Sequence, residues 1–127
     1  VVPAGLSTLS PALDRYQLDS DAPEQQRRRR LADWIVADDN PLTPRVLVNR
    51  LWHYHFGSGL VHTPSDFGFL GGKPSHPELL DHLANELKAD GWRIKPMHRR
   101  IMLSQTYRQA SDHRPQAAQI DADSRLL

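Results

Sequence analysis

The chain has no cysteine. Disulfides, thiolate zinc sites, iron–sulfur clusters and covalent haem attachment through Cys-x-x-Cys-His are therefore excluded within it. It has no apolar run approaching the roughly 20 residues that span a bilayer, and nothing at Val1 reads as a signal peptide. It has no marked excess of either charge: 16 Lys and Arg against 15 Asp and Glu leave a net +1. That balance argues against a dedicated nucleic-acid binder. Apolar residues make up only 39%, which predicts a modest core with poorly ordered ends. No internal repeat is visible, and the only low-complexity patch is Arg27 to Arg30.

What is there is helical. Residues 1–23 hold Pro3, Gly5, Pro11 and Pro23 and read as a partly ordered lead-in. A first helix is expected from about Glu24 to Ala37, with Leu31, Trp34 and Ile35 on one stripe. Pro41 breaks it. Thr43 as N-cap and Pro44 as first helical residue should open a second helix running to Phe56, with Gly57 just beyond it. Its stripe, Val46, Val48, Leu51, Trp52 and Phe56, marks it as the central core helix. Five of the seven glycines fall in 57–74 with Pro64 and Pro74, the composition of a long ordered loop. Ser75-His76-Pro77-Glu78 fits a capping box for a third helix to about Asp90, facing Leu79, Leu80, Leu83, Ala84 and Leu87 inward. Gly91 ends it, Trp92-Arg93-Ile94 reads as an extended link, and Pro96 starts a fourth helix carrying Met97, Ile101, Met102, Leu103 and Tyr107. After Ser111 the chain turns polar, order should decline, and the ending at Leu126 and Leu127 reads as that of an internal fragment. The expectation is a small, orthogonal, all-α domain of about four helices, spanning 24–111, with one long Gly-rich loop and little or no sheet.

Several separated blocks resemble one family. They are Asn40-Pro41-Leu42-Thr43-Pro44-Arg45-Val46, Asn49-Arg50-Leu51-Trp52, Phe56-Gly57-Ser58-Gly59-Leu60-Val61, Asp66-Phe67-Gly68, Pro74 to Asp81, and Ser104-Gln105-Thr106-Tyr107-Arg108-Gln109. In this order and spacing they look like the planctomycete PSD-one domain (domain of unknown function 1553), over roughly residues 31–127. The resemblance implies a setting: the C-terminal part of large exported proteins that often carry a c-type cytochrome domain, a companion domain of unknown function and sometimes a lectin-like module. It thus implies an extracytoplasmic location, companion domains of the same polypeptide as partners, and haem c in another domain. The family pattern continues past Leu127, and this chain departs from it at His82, where Trp is more usual, and at Pro44, where Ala is common. The family has no established activity, so the match implies no mechanism.

The densest polar cluster is Arg45, Asn49, Arg50, Asp66, His76 and Asp81. Arg45 and Asn49, four apart, share a helix face. Arg offers a bidentate fork for carboxylate, sulfate or phosphate, and helix starts favour anions. The cluster could line an anion or sugar pocket. The plainer reading pairs Arg45 or Arg50 with Asp66 and pins the loop to the core.

His53 and His55 point about 200° apart on a helix and cannot chelate one ion, so no metal is expected in this chain. Ser104 with His76 or His98 and Asp66 or Asp81 lacks the Gly-x-Ser-x-Gly elbow of a hydrolase, and Ser104 reads as mid-helix. Asp66 with Glu78 or Asp81 could be drawn as a glycosidase pair, but nothing fixes their separation. Arg27 to Arg30 read as a solvated face balanced by Asp33, Asp38 and Asp39. Trp34 and Trp52 belong to core stripes, and Trp92 is the tryptophan left to stack on a ligand. The loop after the second helix is too long for a helix-turn-helix. The residues thus favour a non-catalytic module that packs against companion domains or binds an anionic or carbohydrate ligand. The competing class is an enzyme site completed by a missing partner domain, acting on polysaccharide or in a haem-linked redox process.

Overall fold

The computed structural model describes residues 18–19, 21–110 and 115–121. Among them are five helices and no strand: α1 (Glu24–Ile35), α2 (Leu42–Phe56), α3 (Pro77–Ala89), α4 (Ile94–Met102) and α5 (Pro115–Ile120). The all-α class is as the sequence predicts. Pro3, Gly5 and Pro11 of the lead-in lie outside the described residues. So do the segments on either side of the tail's short α5, which the sequence reading did not separate out. The chain divides into two compact units, one ending at Pro44 and one beginning at Arg45.

In the first unit α1 buries no residue, and Leu31 and Ile35 of its apolar stripe are exposed. Arg28 pairs with Glu24 on the surface at 2.5 Å, an i,i+4 contact worth about 0.3–0.5 kcal/mol. The structural residue is Asn40, which is fully buried. Its Nδ2 donates to the Trp34 carbonyl at 3.1 Å. Its Oδ1 accepts from the backbone N–H of Leu42 at 2.9 Å and of Thr43 at 3.4 Å. Asn40 therefore caps α2, with Pro41 in the position whose missing N–H has no partner to lose. This corrects the expectation that Thr43 and Pro44 open the helix. An amide carries its donor and its acceptor on separate atoms, so Asn40 closes α1 and opens α2 at once.

The second unit holds the core: Val48 and Leu51 of α2, Leu60 and Val61 of the following loop, Leu80, Leu83, Ala84 and Leu87 of α3, and Met97 and Ile101 of α4. The α3 set follows the helical repeat, so one face of that helix is apolar throughout. Leu47, Trp52, Phe56, Phe67, Leu79 and Trp92 pack around the margin, with Trp52 and Phe56 stacked at 4.2 Å. Arg100 joins α4 to the end of α3 through Glu86 at 2.6 Å and Asp90 at 2.8 Å.

Three local expectations are overturned. The residue flanking α3 is His76, with no side-chain cap, because the N–H and hydroxyl of Ser75 are both given to the Leu60 carbonyl, at 2.8 and 3.3 Å. The capping box therefore does not form. The segment after α3 is not extended. Gly91 (φ +66°) and Trp92 (φ +62°) are both left-handed. Gly91 N–H bonds Lys88 O and Trp92 N–H bonds Leu87 O, both at 2.9 Å. This is the paired closure of a Schellman motif, in which the residue after the glycine packs back on the last turn. Trp92 is thus half-buried on the core rather than free to stack. A left-handed non-glycine residue costs roughly 1–3 kcal/mol, which its hydrogen bond and indole packing offset. Finally, α4 stops at Met102. Ser104 lies just past the helix, where its hydroxyl donates to Ile101 O at 2.7 Å and accepts from Tyr107 N–H at 3.2 Å. The turn leaves Met102, Leu103 and Tyr107 exposed.

Leu87 is fully buried where α3, α4 and the Trp92 closure meet. Leu87→Ala should lower unfolding free energy by about 2–5 kcal/mol in a urea titration followed by circular dichroism. A loss below about 1 kcal/mol would show that this contact is not the centre of the core.

Candidate functional site

The loop between α2 and α3 returns to α2 through one side chain. Asn49 is fully buried. Its Nδ2 donates to Val61 O at 3.0 Å and its Oδ1 accepts from Val61 N–H at 2.8 Å. The amide thus replaces the strand partner that Val61 lacks, satisfying both backbone groups of a residue buried in the core. Gly59 is needed beside it: a Cβ there would lie 2.8 Å from either end of the Asn49 amide and 2.6 Å from Val61 O. Ser75 closes the other side of the neck on Leu60, so the loop leaves and re-enters at adjacent points, as in an Ω-loop.

Beyond the neck the loop is tied to itself. The Thr63 hydroxyl donates to Asp66 O and accepts from Gly72 N–H, each at 2.8 Å. Asp66 Oδ1 accepts from Gly68 N–H at 2.9 Å. Phe67 turns inward onto the core, while Phe69 and Leu70 stand out in solvent at 102% and 88% exposure. The loop is thus an anchored projection with an apolar tip.

The cluster read from the sequence is only partly assembled. Arg45 Nε meets Asp81 Oδ1 at 2.6 Å, which ties α2 to α3. That hydrogen bond, ahead of the guanidinium charge, holds the Asp81 carboxyl below its ordinary value, with slight burial opposing. Asn49 serves the backbone. Asp66 bends onto its own loop, and among the described residues no ion pair joins it to Arg45 or Arg50. The expected Asp66–arginine pin is therefore corrected. Gly68 N–H is two residues from Asp66 and needs no long side chain ordered to reach it, whereas Asp81 on α3 is the carboxylate within reach of Arg45. Arg50 is exposed and makes no ion pair among the described residues. His76 Nδ1 lies 3.0 Å from Ser75 Oγ.

Sequence reading missed a second polar contact. His55 Nε2 and His98 Nδ1 are 2.8 Å apart, from helices 43 residues distant in sequence. Tyr107 sets its ring edge-on to His55 and Phe56 at 5.5 and 5.7 Å. His53 takes no part, consistent with the opposite pointing of i and i+2. The His55 and His98 ring centroids are 5.0 Å apart, with the two nitrogens between them facing each other. That is the spacing of a hydrogen bond between the two rings. Among the described residues no group of three or more His, Asp or Glu could hold a metal ion. Among the described residues no helix is long and apolar enough to cross a membrane.

The family model described as protein of unknown function (DUF1553) matches residues 27–127. The chain belongs to this family. No curated protein and no solved structure matches it.

In this DUF1553 chain the neutral clamp should outweigh the ion pair. Asn49→Ala strands a buried N–H and C=O, each worth about 1–3 kcal/mol, so a total loss of about 2–6 kcal/mol is expected. Asp81→Asn removes a pair whose partners are a third to a half exposed and should cost about 0–1 kcal/mol after solvent screening. The lowered Asp81 value means that the pair's small contribution is complete above the ordinary carboxyl value of 3.8 and fades as pH falls below it. Urea midpoints of the two variants at pH 7 check the ranking, and equal losses would refute it.

Proposed function

We propose that this DUF1553 domain is a non-catalytic interaction module that presents the Phe69–Leu70 tip of its Gly-rich loop to a companion domain of the same polypeptide. The supporting observation is the full exposure of both side chains on a loop whose neck and interior are hydrogen-bonded in place. Burying each in a partner gains about 1.5–3 kcal/mol, and a loop already ordered loses little further freedom on binding. The charge pattern favours protein over a lipid surface or nucleic acid: the tip lies between Asp66 and Lys73 in a chain of net +1, with no basic cluster beside it.

The resemblance noted above adds a setting to this reading: an extracytoplasmic, exported planctomycete protein whose haem c sits in another domain, since this chain has no cysteine to attach it. An anion or carbohydrate pocket at Arg45, Asn49, Arg50, Asp66 and His76 is the weaker reading, because Arg45 already holds Asp81 and both ends of the Asn49 amide are used. An acid–base pair is weaker still, with Asp66 and Asp81 both engaged.

Calorimetry between this chain and the neighbouring domains of its parent polypeptide, produced separately, tests the proposal. The double substitution Phe69→Ser and Leu70→Ser should weaken binding by about 10- to 100-fold. The urea midpoint should hold, since neither residue belongs to the core. Unchanged affinity would sink this surface. Sulfated oligosaccharide binding that responds to Asp81→Asn would move the site to the Arg45 face.

A further inference from the structure

Two imidazoles in direct contact are a poor choice for permanent adhesion. A neutral pair shares one proton between facing nitrogens, one donating and the other accepting. A singly protonated pair can still do so. A doubly protonated pair presents two donors and two positive charges across 2.8 Å, and the contact has no acceptor left. The exchange of attraction for repulsion is built into the chemistry of the two groups and occurs in the range where histidine titrates.

We propose that the His55–His98 contact is a pH-operated latch, closed when the pair is neutral or shares one added proton, and opened by double protonation, releasing the end of α2 and the Tyr107 turn from α4. The latch lies where three segments meet. His55 is in the last turn of α2, His98 is in the middle of α4, and Tyr107 covers both His55 and Phe56 from the turn after α4. Phe56 in turn stacks on Trp52. Losing the imidazole contact therefore loosens an aromatic corner that borders the core without entering it.

A second positive charge at this contact meets the first at hydrogen-bonding distance. The elements that meet here bring His53 and Tyr54 from α2, Lys95, Arg99 and Arg100 from α4, and Tyr107 and Arg108 from the turn. The carboxylates that α3 and its end bring, Glu86 and Asp90, are committed to Arg100. No carboxylate is hydrogen-bonded to either imidazole among the described residues, so a second positive charge on the pair faces the first across 2.8 Å. In agreement, the His55 value is lowered from 6.5, first by burial and second by the charge of His98. A lowered histidine value means that the unfolded chain takes up the proton first. The stabilisation is therefore complete above pH 6.5 and is lost as pH falls below it.

The test combines imidazole nitrogen NMR of the wild-type chain with amide hydrogen exchange at pH 7.5 and 5. His55 and His98 should titrate as a coupled pair with two separated apparent values. Exchange at 53–57 and 103–108 should quicken several-fold at pH 5 with 80–87 in α3 unchanged. In His98→Gln, where a non-titrating amide keeps a hydrogen-bonding group, that acid response should vanish. Independent ordinary titrations of His55 and His98 would overturn the latch, as would a full acid response retained in the variant. Quickened exchange spread evenly through α3 would also overturn it, since that is global unfolding. The wild-type titration decides the matter even if the variant does not fold.

Discussion

The hydrogen bonds between the Asn49 amide and the backbone of Val61 are the constraint on which the second unit depends. Leu60 and Val61 are core residues donated by a loop, and a loop in a core brings backbone polar groups that water can no longer reach. A helix or sheet would satisfy them by repetition. Here one carboxamide does so, from a fully buried position on α2. With that satisfied, the loop can contribute apolar surface to a chain whose apolar content is modest. The requirement extends to Gly59, because the amide approaches too closely for any larger residue.

This constraint also sorts the polar cluster by role. A group committed to the backbone is not available to a ligand, and Asn49 is committed at both ends. Arg45 is committed to Asp81, and Asp66 to the turn of its own loop. The result is a set of residues dense enough in sequence to suggest a pocket, arranged in space mainly to fasten a loop and join two helices. The fastening has a product, since the loop it fixes ends in two apolar side chains that stand exposed. A mobile loop with the same residues would lose much of the gain of burying them to the entropy of ordering.

Arg100 on Glu86 and Asp90 and the imidazole pair of His55 and His98 sit on the same helix, α4, and make a useful contrast. The first is a charged contact nearly insensitive to pH around neutrality, and it holds α4 to α3. The second is neutral only by virtue of pH and holds α4 to α2. One helix is therefore fixed on one side and conditionally fixed on the other, which confines any acid response to the α2 end and the Tyr107 turn.

Periodicity made the helices legible. Leu80, Leu83, Ala84 and Leu87 repeat at helical spacing, and the α3 face and the Val48–Leu51 part of α2 follow from spacing alone, as do the terminating roles of Gly57 and Gly91. Capping was less legible because several residues at each helix start have the right chemistry. Asn40 and Thr43 both qualify, and the choice fell to Asn40 since it could serve two helices at once. The Asn-Pro pair and the exposed Phe69-Leu70 pair between glycines were signals in plain view that a search for stripes passes over. Partner choice was not legible at all. Nothing in the order of residues says that Arg45 meets Asp81 rather than Asp66, or that His55 finds His98, because side chains far apart in sequence compete for partners by distance. The sequence alone determined the helical class, the core faces and the exclusion of thiolate chemistry, since these depend on local repeat and residue type. Only the tertiary structure decided which polar groups were spent on the backbone, which paired, and which were left facing water, since that depends on where the loop returned.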